Sequence, residues 1–403
     1  MVVEKIALLR ADLKKAVEAA STVTPKFCQV PFMTGILLKP ISPNKLIVVG
    51  SNQEITVLGV VAYAGYIPED GWMFTPKYLK TLVSQKAEKL ILEPLKTVDN
   101  EGLVANCYPP YYKAKHTDFR ASFDSVALAT ALQTVNYSAL RYKKGSDYGA
   151  RPVLESVFFH CHESFYSLVT ANSYSLAKTE IPTIEYAPGN KFSLLIHCRY
   201  ADHLAKLLPK EETPVKMAVN AAESSVRFSW GNTHVIVDIV EGNFPNYATI
   251  IPTAFRSEVV VDREYMLGIC KPALAIAKAN ELGGYAEFRW DDELNWSFKM
   301  FDNATTSSVI AESDGTGDLV LSQDHRIRKE DKAKLKDVKE IRSMRITLSL
   351  LVDILEHLPV DRLSIALPPN YGAYLLQSAD DEESDEVVND TFALLMPTHL
   401  SNK

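Results

Sequence analysis

Cysteine is scarce in this chain, with five residues in 403, and their placement excludes more than their number does. Cys28, Cys107, Cys161, Cys198 and Cys270 are scattered and odd in number, and no two form a Cys-x-x-Cys pair. That argues against a disulfide frame or a zinc site, and for reduced, mostly buried thiols in a cytosolic protein. Long apolar runs are absent, and the start, Met1-Val2-Val3-Glu4-Lys5, leads into a charged amphipathic segment. No signal peptide, membrane span or membrane partner is therefore expected. Catalytic signatures are missing as well. There is no Gly-x-Ser-x-Gly, no His-Glu-x-x-His and no dinucleotide fingerprint, and Gly283-Gly284 is a turn signal with no Lys-Ser/Thr after it. An excess of positive charge is also lacking. At a net charge of -7, any contact with nucleic acid must come from basic residues gathered on one surface.

What is present is the make-up of a globular protein, 47% hydrophobic and 23% charged, long enough for several cores. The pattern repeats. Asp12 to Ala20 puts Leu13, Ala16, Val17 and Ala20 on one face at helical spacing. A second helix is predicted over Thr75 to Val83, with Thr75 as cap and Pro76 in the first turn, followed by a strand over Lys89 to Glu93. The same order returns with helices at Asp124 to Leu132 and Tyr200 to Leu208 and a strand at Val215 to Val219. It returns again with helices from Asp262 and over Leu348 to Leu358 and a strand at Leu363 to Leu367. Successive rounds are offset by roughly 115–150 residues, the size of a domain. Short alternating runs lie between the helices, among them Lys45 to Val49, Ser156 to His160, Ser225 to Ser229 and Val235 to Val240. Gly231-Asn232 separates the last two as a hairpin turn would. The reading is α+β: three tandem modules, at 1–120, 121–253 and 254–403, each of two helices packed on antiparallel sheets of about eight strands. Two charged stretches, 325–342 and 379–390, read as solvated surface segments.

Several segments together resemble one family. The tail Leu394-Leu395-Met396-Pro397-Thr398-His399-Leu400 is similar to the Met-Pro-x-x-Leu end of bacterial DNA polymerase III β subunits, the sliding clamps. Gly242-Asn243-Phe244-Pro245-Asn246-Tyr247, followed by Ile250-Ile251-Pro252, resembles the close of that family's second domain. Arg151-Pro152-Val153-Leu154-Glu155-Ser156-Val157 and Val169-Thr170-Ala171-Asn172-Ser173-Tyr174-Ser175-Leu176-Ala177 resemble two further segments, and Val30 to Leu38 looks like a first-domain strand. The chain departs from the family at Asn172 to Ser175, where Asp-Gly-His-Arg is usual, and at Thr398-His399, where Met-Arg is usual. Ser401-Asn402-Lys403 extend past the final Leu.

The resemblance implies three clamp domains per chain and a six-domain ring as a head-to-tail homodimer. It implies a non-enzymatic processivity factor of the cytoplasm and nucleoid, without cofactor or metal. Expected partners are duplex DNA held independently of sequence, the replicative DNA polymerase, the clamp loader and other replication and DNA repair proteins carrying a clamp-binding motif. Carried over by position, a peptide-binding pocket would comprise Leu154, Leu176, Pro245, Ile250, Thr347, Leu394, Leu395, Met396, Pro397 and Leu400, with Tyr371 nearby. Phosphate contacts would fall to Lys14, Lys15, Lys77, Lys80, Arg141, Lys143, Lys144, Arg199, Lys206, Lys210, Lys271 and Lys278. Deleting Leu394 to Lys403 is then expected to abolish partner binding and leave a folded dimer. Two other classes stay open: a clamp-fold scaffold that does not enclose DNA, and a hydrolase using an acidic cluster. His160-Cys161-His162 is half a metal site with nothing to complete it, and Asp291-Asp292-Glu293 reads as a polar hairpin turn.

Overall fold

The structure is a computed structural model that describes residues 5–94, 105–113, 115–141, 151–222, 224–255, 257–279, 284–290, 296–301, 307–312, 343–368, 372–379 and 390–398. In chain order the strands of the first module are β1 (Lys5–Leu9), β2 (Ile36–Ser42), β3 (Lys45–Ser51), β4 (Ile55–Tyr66), β5 (Trp72–Phe74) and β6 (Lys89–Leu92). Next, straddling and following the expected boundary at 120/121, come β7 (His116–Asp124), β8 (Ser156–His162), β9 (Phe165–Ala171), β10 (Ser175–Pro182), β11 (Glu185–Tyr186), β12 (Leu194–His197), β13 (Pro214–Asn220), β14 (Ser225–Trp230) and β15 (Thr233–Asp238). The last module has β16 (Ser257–Asp262), β17 (Tyr285–Trp290), β18 (Trp296–Phe301), β19 (Ser307–Glu312), β20 (Ser343–Thr347), β21 (Arg362–Leu367), β22 (Tyr374–Ser378) and β23 (Phe392–Leu395). The helices are α1 (Arg10–Val23), α2 (Pro76–Val83), α3 (Ser125–Asn136), α4 (Cys198–Leu207), α5 (Arg263–Ala279) and α6 (Leu348–His357).

Each helix begins within a residue or two of the end of a strand, and the junction residue explains most of the starts. Thr75 Oγ1 accepts from the Tyr78 N–H at 3.3 Å, with Pro76 in the first turn of α2. Asp124 accepts from the amides of Val126 and Ala127, both at 2.9 Å, ahead of α3. Asp262 accepts from the Tyr265 amide at 2.6 Å ahead of α5. His197 does the same for α4 through Nδ1, at 3.2 Å from the Arg199 amide. All six helices expected from the sequence are present. The fifth runs on to Ala279 with Pro272 inside it, well past the stretch that periodicity alone marks.

The chain packs as two compact units, residues 1–130, 161–166 and 181–241 in one, and residues 131–160, 167–180 and 242–403 in the other. In the first, one sheet of eleven strands runs β11-β7-β13-β14-β15-β4-β3-β2-β5, with β1 joined to β4 and β6. The pairing of β15 with β4, Val235 opposite Val57, fuses strands of the first and middle modules. Leu13, Ala16, Val17 and Ala20 of α1 bury against Leu46, Val48, Phe74 and Leu79, the face that helical spacing selects. Each such Leu or Val contributes about 1.5–3 kcal/mol by burial. Helix and sheet approach so closely that a Cβ on Gly59 would meet the Ala16 Cβ at 2.5 Å.

In the second unit, strands follow the order β8-β9-β10-β23-β22-β21-β16, and a separate four-stranded sheet runs β19-β18-β17-β20. The pairing of β10 with β23, Leu176 opposite Leu394, joins the middle and last modules. Strand β23 is buried on both faces. Phe392 and Leu394 join Val169, Leu176, Phe255 and Leu375 on one side. Ala393 and Leu395 join Leu351 and Leu355 of α6 and Cys270 of α5 on the other. A strand covered twice needs a continuous apolar run, which is how Phe392 to Leu395 reads.

The thiols are less uniformly buried than expected. Cys198 and Cys270 are buried, Cys28 and Cys161 half-buried and Cys107 exposed. Burial pushes the Cys270 thiol up to about 12, so it acts as a small core residue. No helix among the described residues is long and apolar enough to cross a membrane.

One carboxylate ties stability to pH. Asp238, closing β15, is raised from 3.8 to about 6 by burial and then by the Glu54 carboxylate, which accepts the Tyr200 hydroxyl. The folded state therefore binds more proton than the unfolded chain between those values, and stability falls as pH rises from 3.8 to 6. Asp238→Asn is expected to stabilise the fold at pH 7, by less than about 1 kcal/mol because solvent screens this part-exposed side chain, and so to raise the melting temperature. The gain should vanish below about pH 4 in melts across a pH series.

Candidate functional site

The second unit carries the segments singled out by the tail and the Phe-Pro-Asn-Tyr motif. Tyr247 to Ile250 form a short 3-10 turn in the loop 242–251, and an aromatic group fixes that loop to β8. Phe244 stacks on Phe158 with centroids 5.0 Å apart, and Phe158 stacks on His160 at 5.2 Å. The Tyr247 hydroxyl and His160 Nδ1 lie 2.8 Å apart. His160, weighed from the sequence as half a metal site, is thus a loop anchor. The partner lies 87 positions away, which is why local spacing does not reveal it. His160→Ala should cost the loop one hydrogen bond and one ring contact, about 1 kcal/mol. A peptide read by this loop would then bind roughly fivefold more weakly in anisotropy titrations, with the thermal melt nearly unchanged.

The tail is stitched down on both sides. The Met396 amide donates to the Tyr174 carbonyl at 2.8 Å, and the Thr398 amide to the Arg345 carbonyl at 3.0 Å. The Thr347 and Thr398 hydroxyls lie 3.3 Å apart. Three such bonds mark the segment as positioned. The Tyr174 turn holds its shape without the usual Gly. Asn172 Oδ1 accepts from the amides of Tyr174 and Ser175, both at 2.8 Å, while Nδ2 donates to the Ser138 carbonyl at 3.1 Å. Asn fills the role of an Asp here and adds a donor.

Of the pocket residues expected from the sequence, Leu176 and Leu394 pack together in one buried cluster beside Phe244, Tyr247 and Ile251. Pro245 is exposed, and Ile250 and Met396 keep 51% and 40% of their surface, so large apolar side chains stand open at this face. Leu154 is half-buried in the turn after Arg151, its carbonyl accepting from the Leu140 amide at 2.9 Å. Thr347 and the half-buried Pro397 lie along the tail. Leu395 is separated from this group, pointing with Ala393 into the core under α5 and α6. Leu400 and Tyr371 lie outside the described residues.

The basic residues proposed for phosphate contact sit on exposed helical positions. These are Lys14 and Lys15 on α1, Lys77 and Lys80 on α2, Arg199 and Lys206 on α4, and Lys271 and Lys278 on α5. Lys210 follows α4 and Arg141 follows α3, both exposed, while Lys143 and Lys144 lie outside the described residues. Helix α3 has no Lys or Arg. Some of these charges have counterions. Lys14 faces Glu18 at 3.8 Å and Lys271 faces Glu356 at 2.9 Å, while Asp353 of α6 feels both Lys278 and Arg141. Exposed pairs of this kind are weak and exchange readily for phosphate. Burial and then Lys206 push the His203 imidazole down, so α4 presents its charge through Arg199 and Lys206 at neutral pH. Among the described residues, no group of three or more His, Cys, Asp or Glu is arranged to hold a metal ion. Asp291 to Glu293 lie outside them.

Comparison with known proteins places this architecture. Residues 125–246 match the family model of the DNA polymerase III beta subunit, central domain. A beta sliding clamp of Synechococcus elongatus is 20% identical over 127 residues, which is 32% of this chain and 34% of that protein. The match thus spans about a third of the curated relative. The fold extends further. The DNA polymerase sliding clamp of Bacillus subtilis superposes with a TM-score of 0.76 at 14% identity, covering 98% of this chain and 99% of that one. The beta subunit of Streptococcus pyogenes gives 0.77 at 14% identity over the same shares. A Pseudomonas aeruginosa sliding clamp bound to griselimycin gives 0.75 at 13% identity, again over 98% and 99%. The middle of the chain thus matches a β-subunit central domain, and the sliding-clamp fold extends along its length.

Proposed function

We propose that this chain is a DNA sliding clamp, a non-enzymatic processivity factor. In this reading two copies join head to tail, three modules from each, and enclose duplex DNA. The modules are those of the sequence repeat, 1–120, 121–253 and 254–403. The lysines and arginines of α1, α2, α4 and α5 contact phosphates without reading sequence, so the duplex is retained and still slides. The replicative polymerase, the clamp loader and repair proteins dock by short peptides on the face formed by the loop 242–251 and the tail. The observation that carries the reading is that tail. A segment tied at Met396 and Thr398 beside exposed Met396 and Ile250 is a prepared apolar anchor site. Met396 suits a site that accepts several peptides, because a thioether adapts its shape.

Light scattering tests the assembly. The expected mass is twice 44.9 kDa, and a monomer at micromolar concentration would contradict it. The absence of basic residues from α3 favours a second reading, a clamp-fold scaffold that binds replication proteins without enclosing DNA. The two readings part on whether retention depends on DNA topology.

A further inference from the structure

Arg345 stands beside the tail in a setting that a structural ion pair does not exhaust. It lies on β20, the end strand of the four-stranded sheet, opposite Glu287 of β17. Its backbone groups point away from β17. The amide donates to the Tyr374 hydroxyl at 3.2 Å, and the carbonyl accepts from the tail amide of Thr398. Arg345 and Glu287 are therefore a non-hydrogen-bonded cross-strand pair, the kind that brings side chains closest. Nε donates to Glu287 Oε1 at 2.8 Å. Glu287 keeps only 2% of its side-chain surface, whereas Arg345 keeps 41%. The buried carboxylate takes the Nε–H, and the guanidinium belongs to a side chain that keeps 41% of its surface, which leaves it reachable from solvent. Residues two apart on a strand share a face, so Arg345 emerges on the side of Thr347, where the tail residue Thr398 rests. The turn 172–175, the loop 242–251 and the described tail 396–398 carry no charged side chain. Among these segments and β20, the charged side chain bonded next to the tail is therefore Arg345.

We propose that Arg345 is a specificity-determining residue of the peptide site, accepting an Asp or Glu carboxylate that flanks the apolar anchors of a partner peptide. This rests on the tail face being a peptide site at all. A guanidinium already fixed by a buried carboxylate loses little freedom on binding, and its Nη edge matches a carboxylate with two parallel hydrogen bonds. Glu287 neutralises the pair overall, so the recognition is geometric and local, with little long-range attraction.

The test uses the full-length protein and a fluorescein-labelled nine-residue peptide containing two leucines and a phenylalanine. Glu or its uncharged isostere Gln is placed at each remaining position in turn, and affinity is read by anisotropy. The wild type is expected to favour Glu over Gln about tenfold at one position, as a charge-assisted pair permits. R345Q should bind both peptides equally. Because R345Q removes a cationic partner of the buried Glu287, the double variant E287Q/R345Q, with a neutral amide pair in the sheet, is measured beside it and should also lose the preference. E287Q alone leaves the guanidinium in place and should keep it. Equal binding of Glu and Gln peptides by the wild type at every position overturns the proposal, as does a preference that survives in E287Q/R345Q. Failure of every peptide to bind the wild type overturns the peptide site itself and this inference with it.

Discussion

A protein ending at Leu395, without Met396 to Lys403, is expected to fold normally and to lose peptide binding by at least about a hundredfold, the loss of two to three anchor contacts. The choice of cut follows from β23. Phe392 to Leu395 are strand residues paired to β10 and β22 and buried on both faces. Removing Leu394 and Leu395 as well would take half that strand. The deletion from Leu394 that sequence similarity invites therefore damages the fold together with the site. Of the described residues, cutting after Leu395 removes Met396 to Thr398, held by the bonds to Tyr174, Arg345 and Thr347. A melting temperature within about 2 °C of the full chain, with no binding of a labelled apolar peptide at concentrations that saturate the intact protein, is the expected pair of results. Retained binding would place the anchors elsewhere.

Phe392→Ala should do the reverse and unfold the second unit first. Phe392 is among the largest fully buried side chains, packed with Val169, Phe255 and Leu375, and it lies at the strand that joins the middle and last modules. Removing its ring leaves a cavity and lost transfer energy, together about 3–5 kcal/mol. Differential scanning calorimetry should show a transition displaced by several degrees to lower temperature. Peptide binding should persist below that transition, because Phe392 is fully buried rather than at the open face. A melt unchanged by this substitution would contradict the two-sided burial of β23.

These expectations separate what local sequence encodes from what it does not. The starts of α2, α3 and α5 are legible, because Thr75, Asp124 and Asp262 cap them within three residues. The buried face of α1 is legible for the same reason, since helical spacing is a local property. The pairing of β15 with β4 is not, because those strands are far apart in sequence. Nor is the division of labour within Leu394-Leu395-Met396, where family likeness groups three neighbours that strand geometry sends to opposite faces. His160 and Arg345 have the same history. Each acquires its role from a residue brought in by tertiary packing, Tyr247 for one and Glu287 with Thr398 for the other. The exposed lysines are legible as a set on helices, whereas the counterions Glu356 and Asp353 that temper two of them come from α6.

The decisive measurement is retention on DNA of defined topology. The purified protein would be loaded onto nicked circular duplex with a clamp loader and ATP, freed of unbound protein by gel filtration, and followed after a single linearising cut. Retention on the closed circle and rapid loss on linearisation is the outcome expected of a ring that slides. Equal retention on circle and line, or no retention on either, would contradict enclosure of DNA and leave the chain as a scaffold built on the clamp fold.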